Sequence, residues 1–328
     1  MQKIKKTISS ISSVCHVVGI CQGLYAYLLL FVAKRVKSPT LIEKKHNIIR
    51  DYIKRNYSDI TTSTNLSESI IPHKTLDKRH NVWVFWYQGK ENMPHVVKRC
   101  YERLCTKNIS NDCEIHLISK YNLDEYLTFP EYIIQKVESG TITITHFSDV
   151  LRYALLYHYS GFWIDATVWC EQQIPVSIFK SKYWTIRLPR PQYTISVSYK
   201  KWSTFILWYR DIHDPLAKHM LNLFMAYWQR EDSLVDYLLV DYLLEYSIDS
   251  QREGKEFLSI AESNHHLYHL MQKMKNNFVP QEWNEMKSDT KFFKLSYKGH
   301  DVQAAMDNPR SYYNIVTVSY THLTLPTT

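Results

Sequence analysis

The sequence predicts an α/β fold whose parallel sheet is followed by a helical C-terminal half. Between residues 81 and 170, short apolar runs typical of strands buried on both faces alternate with segments of helical spacing. This βαβ rhythm predicts parallel strands, with ligands bound beyond their carboxyl ends. Past residue 200 the apolar spacing turns helical. The composition, with 45% hydrophobic and 22% charged residues, is that of a globular protein.

Residues 1–80 differ from the rest of the chain in charge. They hold 14 Lys and Arg against 5 Asp and Glu, whereas the remainder is almost neutral and leaves the whole chain at +8. Residues 1–37 are an apolar stretch with basic flanks and no small-residue cleavage signature after it. A signal peptide, a spanning helix, a helix on an anionic membrane surface and an ordinary packed helix all stay open. Residues 38–80 predict a polar helix and then a linker.

The main domain is predicted over residues 81–315. Its strands are expected at 82–87 and 114–119, with a helix between them from about 94 to 107. The remaining helical segments are predicted at 121–127, 129–140, 214–231 and 232–248. Residues 316–328 have no counterpart elsewhere in the chain and are interpreted as a non-native or disordered tail.

Three classes of site are disfavoured by the composition. The chain has 7 glycines and neither a P-loop nor a G-x-G-x-x-G string, so a nucleotide site must be built mainly from side chains. Its six cysteines form no C-x-x-C pair, which favours buried thiols in a reducing compartment over zinc or disulfides. The basic excess is confined to residues 1–80, so we expect no nucleic-acid partner.

The segment 145–170 carries the residues with chemical potential. Ser148 is a candidate helix cap, and Asp149, Arg152 and Tyr153 follow at positions that share one helix face. Leu151, Ala154 and Leu155 supply the packing face of this helix.

A strand over 162–169 is predicted after the Ser-Gly pair at 160–161, which can end the helix. Asp165 is its single carboxylate, and a carboxylate in so apolar a strand needs a partner. That partner is either a divalent cation bridging to a diphosphate, or a basic side chain such as Arg152 or backbone amides. The residues alone leave both alternatives open.

The run THFSDVLRYALLYHYSGFWIDATVWC (145–170) resembles the core of bacterial capsular polysaccharide synthesis proteins and of the wider glycosyltransferase family 32. Those proteins share an S-D-x-L-R helix, a Gly-Gly turn and a strand ending in a D-x-D-like motif. Supporting matches occur at 82–94, 201–209, 236–246 and 291–298, so the resemblance extends over most of 81–298. It implies a GT-A fold, which is Rossmann-like and binds nucleotide sugars, and a Mn²⁺ or Mg²⁺ cofactor.

The resemblance also assigns roles to individual positions. Asp165 matches the first aspartate of the D-x-D motif and is the implied metal ligand. Asp149 and Arg152 match the S-D-x-L-R pair, which contacts donor sugar and phosphate; with Asp165 they are the implied catalytic residues. Trp86 stands where an aromatic side chain stacks on the base. The other implied donor-binding residues are Val84, Tyr87, Gln88, Tyr153, Ala166 and Thr167.

Four further positions concern the implied site. Thr167 replaces the second acidic residue of the D-x-D motif, which removes a metal ligand. His300 or Asp301 is the candidate for the late residue that completes the diphosphate site in such enzymes. Asp241 is the candidate for binding the acceptor, and a place on a solvated helix face is an equally favoured alternative.

The expected function is the retaining transfer of a sugar from a nucleotide-sugar donor, with UDP favoured. The expected acceptor is a cell-surface polysaccharide or a lipid-linked oligosaccharide, at the inner face of the plasma membrane. A glycoside hydrolase that uses Asp149 and Asp165 is disfavoured by the neighbouring Arg152. A catalytically degenerate sugar-binding or scaffold subunit is the alternative favoured by the loss of the second acidic ligand.

Overall fold

The computed structural model describes residues 2–76, 80–108 and 112–318 of the chain. The α-helices are α1 (Gln2–Val18), α2 (Ile20–Val36), α3 (Pro39–Tyr57), α4 (His95–Lys107), α5 (Glu131–Glu138), α6 (Ile144–Tyr159), α7 (Val176–Lys180), α8 (Pro215–Arg230), α9 (Leu239–Ser250), α10 (Glu253–Leu258), α11 (His269–Lys273), α12 (Pro280–Asp289) and α13 (His300–Asp307). Short 3₁₀ helices cover Leu66–Ser69, Lys90–Asn92 and Leu123–Glu125, and a π-helix covers Tyr313–Val318.

The strands form one central sheet and two small ribbons. They are β1 (Ile71–Pro72), β2 (His80–Phe85), β3 (Cys113–Ile118), β4 (Leu127–Thr128), β5 (Gly161–Ile164), β6 (Val168–Cys170), β7 (Tyr183–Thr185), β8 (Ile206–Tyr209) and β9 (Phe292–Lys294). The central sheet has the order β3-β2-β5-β8-β7, while β1 pairs with β4 and β6 with β9.

The central sheet is mixed, and this corrects the prediction of a parallel sheet. β2 runs parallel to β3 and to β5, as the βαβ rhythm predicts. β8 is antiparallel to both β5 and β7. No helix among the described residues separates β7 from β8, and without a crossover helix the chain returns in the opposite direction. The resulting mixed α/β fold is consistent with a Rossmann-like glycosyltransferase.

The two faces of the sheet are covered by different cores. Val82 and Val84 of β2 pack on one face with Val97 of α4, whereas Trp83 packs on the other face with residues of α6 and α8. This alternation is the period of two that a buried strand imposes. The sheet is therefore a middle layer between helices.

The segment predicted as a single strand over 162–169 is divided by a turn. β5 ends at Ile164, and the Val168 N–H donates to the Asp165 carbonyl oxygen at 2.9 Å. The Asp165 N–H still donates to the Phe205 carbonyl at 2.9 Å, so Asp165 is held at the edge of the sheet. The turn directs Asp165, Ala166 and Thr167 away from the direction of β5.

The preceding helix begins earlier than predicted. α6 is capped by Thr143, whose hydroxyl accepts from the His146 N–H at 3.4 Å, and not by Ser148. Ser148 instead lies inside the helix, in its second turn. The helix ends as predicted before a tight turn, in which Ser160 has φ 56° and Gly161 has φ 113°.

The α3 helix of the N-terminal segment packs into the main core. Its residues Ile49, Tyr52, Ile53 and Tyr57 are buried in the same hydrophobic cluster as Trp83 of the central sheet. The helix thus shares a core with residues beyond 81. The predicted domain boundary at residue 81 stays a prediction.

The α2 helix buries mainly small residues and exposes most of its large ones. Gly23, Ala26, Leu29 and Ala33 are its buried positions. A Cβ added at Gly23 would lie 2.6 Å from the Cα of Cys15, so the glycine permits close contact with α1. Among the described helices, none has the length and apolar character needed to cross a membrane.

The folded part of the chain continues past residue 315. Val316 and Thr317 are buried, and Arg99 of α4 donates to the Thr317 carbonyl oxygen at 2.8 Å. The predicted tail at 316–328 therefore begins with residues that pack on α4, and residues 319–328 lie outside the described residues. The side chains of His300 and Asp301 also lie outside them.

Candidate functional site

A cleft of about 690 Å³ opens where the parallel strands β2 and β5 end. Its walls come from the loop after β2, the N-terminal half of α6, the turn after β5, and residues on and after β9. This is the place at which α/β sheets bind ligands, and the volume suits a nucleotide-sized molecule.

Most of the residues predicted to form the site line this cleft. They are Trp86, Tyr87, Gln88, Asp149, Arg152, Asp165, Ala166, Thr167 and Asp241.

Two predicted donor-binding residues do not line the cleft. Val84 is 1% exposed and belongs to the core beneath the sheet, because it alternates with Trp83 along β2. Tyr153 is fully buried and packs against Phe224 of α8, with 6.0 Å between the ring centroids. Arg152 and Tyr153 lie on opposite sides of Asp149 around α6, and the side of Tyr153 is the one that faces α8.

The cleft floor is a cluster of alternating charges. Arg152 donates from Nη1 to Asp149 Oδ1 at 2.7 Å and from Nη2 to Asp165 Oδ1 at 3.4 Å. Lys294 donates from Nζ to Asp165 Oδ2 at 2.7 Å. The Trp163 indole N–H also donates to Asp165 Oδ1, at 2.9 Å. Both oxygens of Asp165 therefore accept hydrogen bonds from donors of this chain.

The environments of Asp149 and Asp165 separate their pKa values. Burial raises the pKa of Asp149 to about 6, and Arg152 offsets only part of the increase. Burial acts in the same direction on Asp165, but Lys294 and Arg152 outweigh it and hold the pKa of Asp165 below its ordinary value. Asp165 is consequently the member of the pair that stays ionised to the lower pH.

Asp241 faces the cleft from the first turn of α9. Its Oδ1 accepts from the Trp202 indole N–H at 2.8 Å, and burial raises the pKa of the carboxyl group to about 7. Asp236, five residues earlier, is engaged with Lys45 of α3. Of these two aspartates, Asp241 is thus the one that is available to a ligand in the cleft.

An aromatic wall stands at the end of β2. Trp86 is half-buried, and Tyr297 contacts it edge-on with 5.3 Å between the ring centroids. The Trp86 indole N–H donates to the Asn92 carbonyl oxygen at 3.3 Å, which orients the ring. An indole held in this way offers a flat surface on which a base can stack.

The sequence profile described as "Capsular polysaccharide synthesis protein" matches residues 31–316. This chain belongs to the capsular polysaccharide synthesis protein family. The match includes α3 and every residue predicted to form the site, so the family assignment extends to the cleft. The closer likeness to bacterial members and to glycosyltransferase family 32 stays a prediction.

Two fungal relatives match part of the chain. The O-glycosyltransferase braB of Annulohypoxylon truncatum is 34% identical over 100 residues, which are 28% of this chain and 23% of the relative. The O-glycosyltransferase PaGT of Phomopsis amygdali is 27% identical over 116 residues, which are 33% of this chain and 28% of the relative. The alignments thus span about a quarter of the length of each relative. No solved structure matches this chain.

In this member of the capsular polysaccharide synthesis protein family, the residues around Asp165 do not fit a divalent metal ion. A metal on Oδ2 of Asp165 would lie beside the Lys294 ammonium, and Oδ1 already accepts from the Trp163 indole N–H and the Arg152 guanidinium. These two cations would oppose its binding by charge repulsion. The second acidic position is Thr167. Across the part of the chain that the structure describes, no group of three or more His, Cys, Asp or Glu could hold a metal.

The family resemblance did not predict every residue that lines the cleft. Lys294, Tyr297 and Lys298 come from the block 291–298, which supported the resemblance but received no role. Lys294 is 129 residues from Asp165 in sequence, and only the pairing of β9 with β6 brings the two together. The other lining residues without an earlier role include Trp202, Lys200, Tyr237 and Tyr268.

Proposed function

We propose that this protein is a glycosyltransferase of GT-A type that transfers a sugar from a nucleotide-sugar donor, with UDP favoured. The observation that carries the proposal is the arrangement of the cleft. An oriented indole, Trp86, lies in the same cleft as the cationic pair Arg152 and Lys294, at the carboxyl ends of parallel strands. Base stacking and diphosphate binding need these two kinds of group in one cleft.

The proposed reaction breaks the bond between the anomeric carbon and the diphosphate oxygen. The electron pair stays on the diphosphate, where Arg152 and Lys294 offset the growing negative charge. The acceptor oxygen bonds to the anomeric carbon on the same face, and its proton passes to the released diphosphate. This course retains the anomeric configuration, which proton NMR of the product measures directly.

Two carboxylates have proposed roles in positioning substrates. Asp149 is fixed by Arg152 at 2.7 Å and is placed to accept hydrogen bonds from donor sugar hydroxyls. Asp241 enters the cleft from α9 and is the proposed contact for the acceptor hydroxyl. The proposed acceptor is a cell-surface polysaccharide or a lipid-linked oligosaccharide.

The test is nucleotide release from a panel of nucleotide sugars by the purified protein. Asp165→Asn keeps the shape of the side chain but removes the charge that holds Lys294 and Arg152. We expect turnover of one donor and a loss on the order of 10²-fold or more in the variant. Asp211→Asn is the matched control, since Asp211 forms an exposed pair with Arg210. If no donor is bound or turned over, the scaffold function is favoured.

We also propose that the enzyme works on an anionic membrane surface, through the exposed face of α2. Ile20, Leu24, Leu28 and Phe31 are between 51% and 71% exposed and lie at spacings of four, four and three. Such a row of large apolar side chains is not the solvated face of an ordinary surface helix. The proposed site of action is the inner face of the plasma membrane.

The charges beside this row complement an anionic bilayer. Lys34, Arg35 and Lys37 are all exposed at the C-terminal end of α2. Each basic residue near an anionic leaflet contributes roughly 1 kcal/mol of attraction. The apolar row and the basic cluster are together the two features of a helix that lies in the headgroup region.

Vesicle flotation tests this placement. We expect the protein to float with vesicles that contain phosphatidylglycerol and to bind weakly to pure phosphatidylcholine. The double variant Leu28→Ser/Phe31→Ser should lose most of the binding. The double variant Val176→Ser/Ile212→Ser, which alters two apolar residues of similar exposure elsewhere, should keep it. Equal flotation of both double variants would reject α2 as the contact.

A further inference from the structure

The strongest unexplained feature of the cleft is the ion pair between Lys294 and Asp165. Asp165 occupies the position at which related transferases are expected to hold a metal, yet its Oδ2 is 2.7 Å from the Lys294 ammonium. The ammonium is thus a cation of this chain at the place where a divalent cation would otherwise stand.

Lys294 is positioned by several independent contacts. Its backbone lies in β9, opposite Val168 of β6, and its N–H donates to the Leu267 carbonyl oxygen at 2.8 Å. Its ammonium lies 4.5 Å from the centre of the Phe205 ring. The side chain is 19% exposed, so part of its charge is turned toward the cleft. A lysine held in this way is a fixed point charge rather than a mobile surface group.

The charges that line the cleft favour an anion. The cationic side chains are Arg152, Lys200, Lys294 and Lys298. The carboxylates are Asp149, Asp165 and Asp241. The cationic excess suits a diphosphate that arrives without its own metal, because a metal-bound diphosphate would bring additional positive charge.

We propose that the Lys294 ammonium takes the place of the divalent cation, so that the donor diphosphate binds in this cleft without a metal ion. Lys294 and Arg152 then contact phosphate oxygens, and Asp165 is a positioning residue that holds both cations. This inference rests on the proposed function, since it presumes that the ligand is a nucleoside diphosphate.

Calorimetric titration of UDP into the full-length protein tests the inference without requiring turnover. We expect the same Kd in EDTA as in Mn²⁺. Lys294→Met should weaken UDP binding about tenfold or more, as for the loss of a charged hydrogen bond. Lys294→Arg should keep most of the affinity because it keeps the charge. Lys54→Met, which removes an exposed charge on α3, should bind as the wild type does.

The outcomes separate this inference from the proposed function. UDP binding that is lost in EDTA and restored by Mn²⁺ would overturn the metal-free site but leave the transferase in place. No binding of UDP or GDP under either condition would overturn both. If Lys294→Met does not fold, the comparison of wild type in EDTA and in Mn²⁺ still decides. Unchanged UDP affinity in a folded Lys294→Met protein would also contradict the role of Lys294.

Discussion

At the scale of single residues, one cleft holds three aspartates whose pKa values are shifted differently by their surroundings. Asp165 stays ionised because Lys294 and Arg152 outweigh the effect of its burial. Burial raises the pKa of Asp149 to about 6 and that of Asp241 to about 7. The environment rather than the residue type therefore determines which aspartate holds cations and which can titrate near neutral pH.

Asp241 gives a prediction about pH dependence. Burial is the largest of the effects that raise its pKa, and the nearby Asp149 and Glu245 raise it further. Trp202 and Arg152 lower it. An acid with a raised pKa is neutral below that value and ionised above it. If the ionised carboxylate accepts a hydrogen bond from the hydroxyl of the acceptor sugar, kcat/KM for the acceptor increases as the pH rises through about 7.

Asp241→Asn is the corresponding variant. We expect it to remove the increase near pH 7 and to lower kcat/KM on the order of 10²-fold. An increase near pH 6 that persists in the variant belongs to Asp149. A pH profile identical to that of the wild type would show that Asp241 does not bind the acceptor. The measurement is the initial rate at limiting acceptor across the pH range.

At the scale of elements, the turn between α6 and β5 positions the ionic cluster. α6 carries Asp149 and Arg152, and Asp165 follows immediately after β5. Gly161 has φ 113° and lies so close to β2 that an added Cβ would be 2.5 Å from the Asn81 carbonyl oxygen. Only glycine allows the chain to leave the helix and enter the sheet beside β2 at this point.

The same turn gives a prediction about stability. Gly161→Ala should lower the free energy of unfolding by about 3 kcal/mol, from backbone strain and the clash with β2. Gly140→Ala is the matched control, because Gly140 has φ 80° with nothing within 4 Å of an added Cβ. Its expected loss is about 1 kcal/mol, from strain alone. Equal losses in urea unfolding would show that the contact with β2 contributes nothing.

At the scale of the whole molecule, the N-terminal segment includes two helices that differ in how they are buried. α3 is bonded to the C-terminal half through Lys45–Asp236 and through Arg50–Glu245, whose Nε–Oε2 distance is 2.7 Å. α2, by contrast, exposes its large apolar side chains. We infer that α3 belongs to the folded body, while α2 offers a surface for binding.

Truncation separates these two parts. A fragment starting at residue 38 should keep a cooperative thermal transition, whereas a fragment starting at residue 59 should lose it. The second deletion removes four large side chains of α3 from the core: Ile49, Tyr52, Ile53 and Tyr57. Roughly 1.5–3 kcal/mol each is comparable with the ~5–15 kcal/mol that stabilises a domain. Cooperative unfolding of the shorter fragment would support a boundary near residue 81.

The strands and helices of the central part were largely predictable. β2, β3, α4 and α8 lie within about two residues of their predicted positions, because each is a strongly periodic or uniformly apolar run. The antiparallel strands β7 and β8 were not predicted, since strand direction depends on the path of the chain between strands. The cap of α6 was misplaced because Thr143 and Ser148 are both favoured capping residues.

The sequence by itself determined the α/β class, the positions of Asp149, Arg152 and Asp165, and the resemblance to a family to which the chain belongs. These follow from local spacing and a specific run of residues. Only the tertiary structure decided that Val84 and Tyr153 face cores, that Asp241 faces the cleft, and that α3 is part of the main core.

The tertiary structure also decided what stands beside Asp165. Local sequence left a metal and a basic side chain as equal alternatives, and the structure places Lys294 and Arg152 there. Lys294 comes from a strand 129 residues away. This pairing depends on the long-range contact between β9 and β6, which the local sequence of neither strand determines.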